Sequence, residues 1–386
     1  MVRLPGPLSD PRRLSRSFSS RLRSPRLTSQ LGLMLGTAFA ICLLTGYISH
    51  AIQHPPAWFT WPSRPVNLYR VSQGLHVATG IAIVPLLGAK IWSVYPKLFR
   101  WPPARNVAHG LERLSLVVLV AAAMFQVTTG LLNIARWYAP MGFFFTVAHF
   151  WTAWIAAGAI LVHIGVKLPI IRRALTAKVR PVDVGDGWSR RGFLVTVGAA
   201  IGVVTVATVG QTLRPLAGVS VLAPRDPRVG VQGVPVNGSA AAARVADRAL
   251  HPAYTLELRG PQGTRTLTLA DLNALPQHTS ALPITCVEGW SADGVWGGVR
   301  LKDLAALVGG GPDDPVTVES LQENSLYRLS TVEPPHVRDD LTLVALRLHG
   351  EPLHLDHGFP CRLIAPNRPG VLQTKWLARI TVGRPS

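Results

Sequence analysis

Five apolar stretches of near-bilayer length constrain this chain more than any other feature. They run over about Leu31–Tyr47, Val71–Trp92, Leu114–Ile134, Phe143–Val166 and Phe193–Leu213, and an apolar run of about 20 residues reads as a membrane-spanning helix. Lys and Arg stay on the cytoplasmic side of such spans, so the connecting loops set the orientation. The N-terminus carries Arg12, Arg13, Arg16, Arg21, Arg23 and Arg26. The loop after the second span carries Lys97, Arg100 and Arg105, and the loop after the fourth carries Lys167, Arg172, Arg173, Lys178, Arg180, Arg190 and Arg191. These alternate with poorer loops, which hold Arg64 and Arg70 after the first span and Arg136 after the third. The N-terminus is therefore expected in the cytoplasm and everything after the fifth span outside it, in a multi-pass protein of a bacterial cytoplasmic membrane. Trp58, Trp61, Trp137 and Tyr138 suit the outer interface. The net charge of +19 gathers at these flanks, which points to the lipid bilayer as a partner and excludes nucleic acid.

The start of the fifth run, "SRRGFLVTVGAA" (Ser189–Ala200), resembles a twin-arginine export signal retained as an anchor. An ordinary positive flank accounts for the same arginines. The export reading implies that a domain folded around a cofactor in the cytoplasm follows.

Ionisable residues inside membrane spans are functional candidates. His76 lies near the start of the second span and His149 near the start of the fourth. Both spans enter from outside, so the two imidazoles share one depth and suit the axial positions of one b-type haem. His163 follows His149 by 14 residues, a rise of roughly 21 Å that returns to nearly the same helix face. A second haem is thereby expected near the inner leaflet, and His109 is the available inner-side partner. This spacing resembles the two-haem cytochrome b subunits of formate dehydrogenase and hydrogenase complexes, over roughly residues 28–175. That family takes its inner partner from the start of its first helix, where this chain has no His, so one haem or two stays open. His50 and His54 are read as solvated at the outer interface and Gln126 as an interhelical hydrogen bond.

The chain has three cysteines, Cys42, Cys286 and Cys361, and no CxxC or CxxCH. Iron–sulfur clusters, c-type haem and structural zinc are thereby excluded as expectations. Cys42 lies in an apolar run and reads as packing. Residues 215–252 are rich in Pro, Gly and Ala and read as a linker. Strand-like segments follow at Tyr254–Gly260, Val316–Ser320, Leu341–Leu353, Cys361–Pro366 and Lys375–Gly383, with short helices at Leu269–Leu275 and Leu301–Val308. The expected order is a basic tail (1–28), a four-helix cytochrome b-like membrane domain (29–175), a twin-arginine-like segment with the fifth span (176–214), the linker, and a β-rich α+β domain (253–386).

Two stretches of that last domain are distinctive: "CVEGWSADGVWGGVRLKDL" (Cys286–Leu304) and "LHGEPLHLDHGFPCRLIAPNRPGVLQTKWLARI" (Leu348–Ile380). In this order they resemble the sulfite-oxidase-fold family of molybdopterin enzymes. The resemblance implies molybdenum ligation by Cys286, a soft thiolate that a metal deprotonates. It implies a pterin and phosphate clamp made by His357, Arg362 and Lys375. Tyr327 falls about where sulfite oxidases keep an active-site Tyr, and Asn237 is a candidate cofactor contact. Cys361 is read as core.

Sulfite oxidases place an arginine shortly after the ligand Cys, where this chain has Glu288. In this respect it looks more like the periplasmic methionine sulfoxide reductase branch. Glu288 reads either as a proton donor for oxygen removal or as a brace for the turn. The haem and cytochrome c domains of some sulfite oxidases are absent. So is their dimerisation domain, since the chain stops six residues after Ile380. The expectation is a membrane-bound molybdenum oxidoreductase that moves electrons between quinone or quinol, b-type haem and an extracytoplasmic molybdenum centre. Its substrate would be a small or protein-bound S-oxide or N-oxide such as methionine sulfoxide. Two alternatives are a dehydrogenase of sulfite or another small sulfur compound that feeds the quinone pool, and a non-enzymatic membrane anchor.

Overall fold

The computed structural model describes residues 20, 22–97, 106–178 and 189–384. Most of the basic tail and the loop cations Arg100, Arg105 and Arg180 lie outside them. The chain divides into two compact units, Met1–Gly46 with Leu75–Ala207, and Tyr47–Gly74 with Thr208–Ser386.

Five helices are long and apolar enough to cross a bilayer. They are α1 (Pro25–Gln53), α2 (Leu68–Val94), α3 (Val107–Ile134), α4 (Phe145–Thr176) and α5 (Arg190–Val209). α1 and α2 extend beyond the apolar run at both ends, α3 at its start and α4 at its end, because polar turns continue the same hydrogen-bond ladder, whereas α5 ends at Val209, before Leu213. Ser189 starts α5, its hydroxyl accepting from the Gly192 amide at 3.0 Å.

The rest is β-rich. Two short helices, α6 (Ala240–Ala243) and α7 (Ala246–Ala249), occupy part of the expected linker. One five-stranded sheet has the order β2-β1-β10-β5-β6, where β1 is Thr255–Gly260, β2 Gly263–Thr268, β5 Val316–Ser320, β6 Leu329–Val332 and β10 Leu377–Val382. The β1–β10 pair is parallel, with Leu258 opposite Ile380. The other sheet runs β3-β4-β7-β8, with β9 on β7. Its strands are β3 (His278–Thr285), β4 (Ser291–Arg300), β7 (Leu343–Leu348), β8 (Glu351–Pro352) and β9 (Arg362–Ile364). The helices α8 (Leu269–Ala274) and α9 (Leu301–Ala306) fall where the apolar spacing expects them. Thr268 and Asp271 close a reciprocal capping box at the start of α8.

Alternation decides which faces are buried. Leu256 and Leu258 of β1, and Val316 and Val318 of β5, enter one core with Leu304, Leu363, Trp376 and Ile380. Cys361 is part of this core, with its thiol 3.2 Å from the Tyr254 hydroxyl and its pKa pushed up to about 12 by burial. Leu282, Ile284, Trp290, Trp296, Leu343 and Leu348 form a second core, and Cys286 lies in it. Strands β3 and β4 escape the strand-like reading of the sequence. β3 contains a proline, and β4 contains three glycines. Gly298 is required there: a Cβ would stand 2.1 Å from the Val344 carbonyl oxygen, beside a bulge between Gly297 and Gly298.

Candidate active site

Cys286 opens the tight turn that joins β3 to β4. Thr285 and Ser291 are the last paired residues. Inside the turn the Cys286 amide donates to the Trp290 carbonyl at 2.9 Å, and the Gly289 amide donates to the Cys286 carbonyl at 3.0 Å. A hairpin end therefore holds the thiol. The Asn237 side-chain amide donates to Cys286 Sγ at 2.9 Å and to Glu288 Oε2 at 2.9 Å. The Trp290 indole N–H points at the same polar group, 3.2 Å from Asn237 Oδ1 and 3.3 Å from Glu288 Oε2. The Glu288 amide lies 3.4 Å from the sulfur. Cys286, Glu288 and Asn237 are thus one buried or half-buried cluster. Among the described residues no group of three or more His, Cys, Asp and Glu side chains converges. The turn itself offers one sulfur ligand, Cys286.

Gly238, next to Asn237, leads to the second motif. Its carbonyl accepts from Lys375 Nζ, which also donates to the Asp356 carbonyl at 2.9 Å. Lys375 lies over the Trp376 ring, 4.3 Å from its centre. Burial, with the nearby Arg362 charge second, lowers the Lys375 pKa to about 7. Arg362 is 4% exposed. Its guanidinium donates to the carbonyls of His357 and Gln373, at 3.0 Å each, and sits 5.1 Å above the Trp296 ring. Among the described residues no carboxylate pairs with it. Burial lowers its pKa to about 9. His357 Nε2–H donates to the Val231 carbonyl at 2.6 Å, which leaves Nδ1 as the lone-pair nitrogen. Burial lowers the His357 pKa to about 4, so this imidazole is neutral at pH 7. Gly358 lets these groups meet: its φ is 107°, and a Cβ would lie 3.0 Å from Lys375 Cβ and 3.1 Å from Arg362 Cβ.

A buried and a half-buried cation that both donate to carbonyls are costly unless an anion neutralises them. That fits a phosphate-bearing cofactor at Arg362 and Lys375, with its metal end toward Cys286. Tyr327 donates to Gln53 Oε1 at 3.2 Å. Cys286 is within electrostatic reach of Tyr327, whose pKa is raised mainly by burial.

Two further residues escaped the sequence reading. Arg368 is buried, donating to Ser330 Oγ at 2.6 Å and the Thr331 carbonyl at 2.7 Å, and burial lowers its pKa to about 10. His336 is buried beside it, with a pKa lowered to about 3 by burial and the Arg368 charge. Arg368 stands in "APNRPG" and His336 in "EPPHVRDD", and neither setting marks its residue as buried.

The helical unit brings His76 and His149 together, with ring centres 6.4 Å apart and planes at 70°. Two imidazoles bound to one metal through bonds of about 2 Å have ring centres about 6 Å apart. Their tautomers can be derived. His76 Nδ1 is 3.0 Å from the Cys42 carbonyl, which only accepts, so Nδ1 carries the proton. Thr129 commits its hydroxyl proton to the Phe125 carbonyl at 2.7 Å and lies 3.1 Å from His149 Nδ1, so it accepts from that nitrogen too. Both Nε2 lone pairs are left for a metal, the usual arrangement of ligating histidines. Gln126 donates to the His149 carbonyl at 2.6 Å. His163 lies 14 residues further along α4. Its charged neighbours are Lys90, Lys167 and Glu112, and Lys167 pairs with Glu112. His109 is also within electrostatic reach of Glu112, and its amide donates to the Asn106 side chain at 2.8 Å. His50 and His54 stack at 4.9 Å.

Residues 242–385 match the family described as oxidoreductase molybdopterin binding domain. This domain is a molybdopterin-binding oxidoreductase domain of the sulfite-oxidase fold. Mitochondrial sulfite oxidase of Drosophila melanogaster is 34% identical over 158 residues, which is 33% of this chain and 27% of the relative. The oxidoreductase YuiH of Bacillus subtilis is 33% identical over 115 residues, 30% of this chain and 57% of the relative. The Azospira oryzae protein named as protein-methionine-sulfoxide reductase subunit YedZ1 is 31% identical over 115 residues, 30% of this chain and 43% of the relative. The chain thus spans between about a quarter and a little over half of these relatives. The matched stretch holds Cys286, Glu288, His357, Arg362 and Lys375, whereas Asn237 lies just before it.

Proposed function

We propose that this chain is a membrane-bound molybdopterin oxidoreductase that draws electrons from quinol through b-type haem and reduces a neutral S-oxide or N-oxide, such as methionine sulfoxide, outside the cytoplasm. The observation that carries the substrate class is the Glu288 carboxylate, tied through Asn237 to the Cys286 sulfur at 2.9 Å on each side. A carboxylate in that place repels an anion such as sulfite. It suits an oxide that must take up protons as oxygen leaves.

Cys286 would ligate the metal, while Arg362 and Lys375 would hold the phosphate end of the cofactor. His357 would present its Nδ1 lone pair to a pterin N–H. The bound cofactor would supply two-electron oxygen-atom transfer, with single electrons delivered in turn. The Glu288 carboxylate would relay protons to the departing oxygen, with Asn237 and Trp290 donating to Oε2 and keeping it on the sulfur side of the turn. His76 and His149 would hold one haem through Nε2.

The test is optical. The purified membrane protein is reduced with a quinol analogue and the b-haem band is followed on adding methionine sulfoxide, with sulfite added to oxidised enzyme in parallel. Reoxidation by the sulfoxide, lost in Cys286→Ala, is the expected result. Haem reduction by sulfite, with no response to sulfoxide, would overturn the reading in favour of a sulfur-compound dehydrogenase.

A further inference from the structure

The turn that carries Cys286 is held from outside its own domain sequence. The Gln73 side-chain amide, in the first turns of α2, donates to the Val287 carbonyl at 3.0 Å. The Thr212 hydroxyl, just after α5, donates to the Gly289 carbonyl. The neighbouring Gln211 carbonyl accepts from the Ser291 amide at 2.9 Å. Two carbonyls of the turn are thus met by side chains from the ends of two apolar helices. Segment 47–74 is fastened at further points. Asn367 accepts the Tyr69 amide at 2.6 Å and donates to the Pro62 carbonyl at 2.7 Å, while its own carbonyl accepts the Trp61 indole at 2.8 Å. Arg64 grips Asp339 with two bonds of 2.8 and 2.9 Å, and Arg70 meets Asp293 at 2.8 Å. Tyr69, Phe59, Trp61, Tyr327 and Leu372 share one apolar cluster.

We propose that Gln73 and Thr212 are positioning residues for the metal-ligand turn, so that the oxidoreductase domain is complete only when segment 47–74 lies against it. A carbonyl at Val287 or Gly289 that loses its donor leaves the turn free to open locally. The geometry of the thiol between them is then no longer fixed. Losing one such hydrogen bond corresponds to roughly a fivefold rise in the open population.

The significance of the turn rests on Cys286 as metal ligand, but the test does not. The full chain is produced in a host that makes no pterin cofactor and placed in lipid nanodiscs. The rate of Cys286 alkylation by iodoacetamide is then read by peptide mass spectrometry, with buried Cys361 as internal reporter of global unfolding. Thr212→Val and Gln73→Leu should each raise the Cys286 rate about fivefold while Cys361 stays unlabelled. Thr212→Ser, which keeps the hydroxyl, should react at the wild-type rate. Cys286 rates within twofold of wild type in both Thr212→Val and Gln73→Leu would overturn the proposal. If Gln73→Leu also exposes Cys361, Thr212→Val decides alone, because it exchanges a hydroxyl for a methyl of the same shape. Molybdenum retained in Cys286→Ala would sink the ligand assignment and leave this result untouched.

Discussion

Replacing Arg362 by Met asks what a buried cation is for when no carboxylate faces it. Burial displaces its pKa from the ordinary value to about 9, which corresponds to roughly 5 kcal/mol against the charged side chain in the fold. Opposing this are the two hydrogen bonds to the His357 and Gln373 carbonyls, each worth about 1.5–3 kcal/mol because the donor is charged. The two effects nearly cancel. In cofactor-free protein, Arg362→Met should therefore shift the unfolding free energy by no more than about 2 kcal/mol in either direction. With the cofactor bound, the same truncation strips a buried anion of its partner and costs about 3–5 kcal/mol. That is two to three orders of magnitude in cofactor retention. The assay compares denaturant midpoints of tryptophan emission for wild type and variant, each produced with and without pterin synthesis, and molybdenum per protein after dialysis. A variant that loses its molybdenum while its cofactor-free form unfolds near the wild-type midpoint fits the reasoning. A cofactor-free variant destabilised by well over 3 kcal/mol would refute it, making Arg362 a structural brace. Undiminished molybdenum would refute it as directly.

Three more outcomes are expected. His76→Leu or His149→Leu should abolish the b-type haem spectrum, and His163→Leu should keep it; the reverse pattern contradicts the ligand pair. His357 and His336 have pKa values lowered to about 4 and about 3 by burial, while the unfolded chain protonates them near 6.5. Between these values the unfolded state binds more protons, so stability rises with pH there and is lost as pH falls from about 6.5 toward 4. The double variant His336→Gln/His357→Gln should flatten that loss in a denaturant series across pH 4–7, and an unchanged acid slope would exclude these histidines as its source. Gly358→Ala places a methyl 3.0 Å from Lys375 Cβ at a φ of 107°. It should cost about 1–3 kcal/mol and lower the molybdenum content, so full metal content in the variant would show that the clamp tolerates the strain.

What was legible in the sequence is what repeats or carries charge. The five apolar helices and the β1, β5 and β10 alternation announce themselves through composition or spacing, and the motif residues Cys286, Arg362 and Lys375 through the resemblance to the sulfite-oxidase-fold family. The hairpin that presents Cys286 does not, because Pro283 and the glycines of β4 write against strand propensity. They are there for the bulge and the close approach at Val344. Segment 47–74 reads as an ordinary interfacial loop, since hydrogen bonds from Gln73 or Asn367 to carbonyls 214 and 305 positions away leave no local pattern. The pairing of His76 with His149 follows from depth in the membrane.

The charge layout of the site argues for a cofactor bound in one direction. Asn237 and Gly238 are adjacent in sequence and serve opposite ends. Asn237 touches the Cys286 sulfur and the Glu288 carboxylate, whereas the Gly238 carbonyl takes the Lys375 ammonium. Anionic groups thus gather on the turn side and uncompensated cations on the clamp side. A ligand with a metal at one end and a phosphate at the other meets a soft anion for the metal and cations for the phosphate in only one orientation. In the reversed pose the phosphate faces Glu288 and the metal faces Arg362, and both contacts are repulsive. The carboxylate that turns away an anionic substrate would therefore also orient the cofactor. On this argument Glu288→Gln should cost cofactor occupancy as well as oxide reduction. Normal occupancy with altered substrate choice in that variant, measured by metal analysis and a sulfoxide-against-sulfite assay, would restrict the carboxylate to the substrate side.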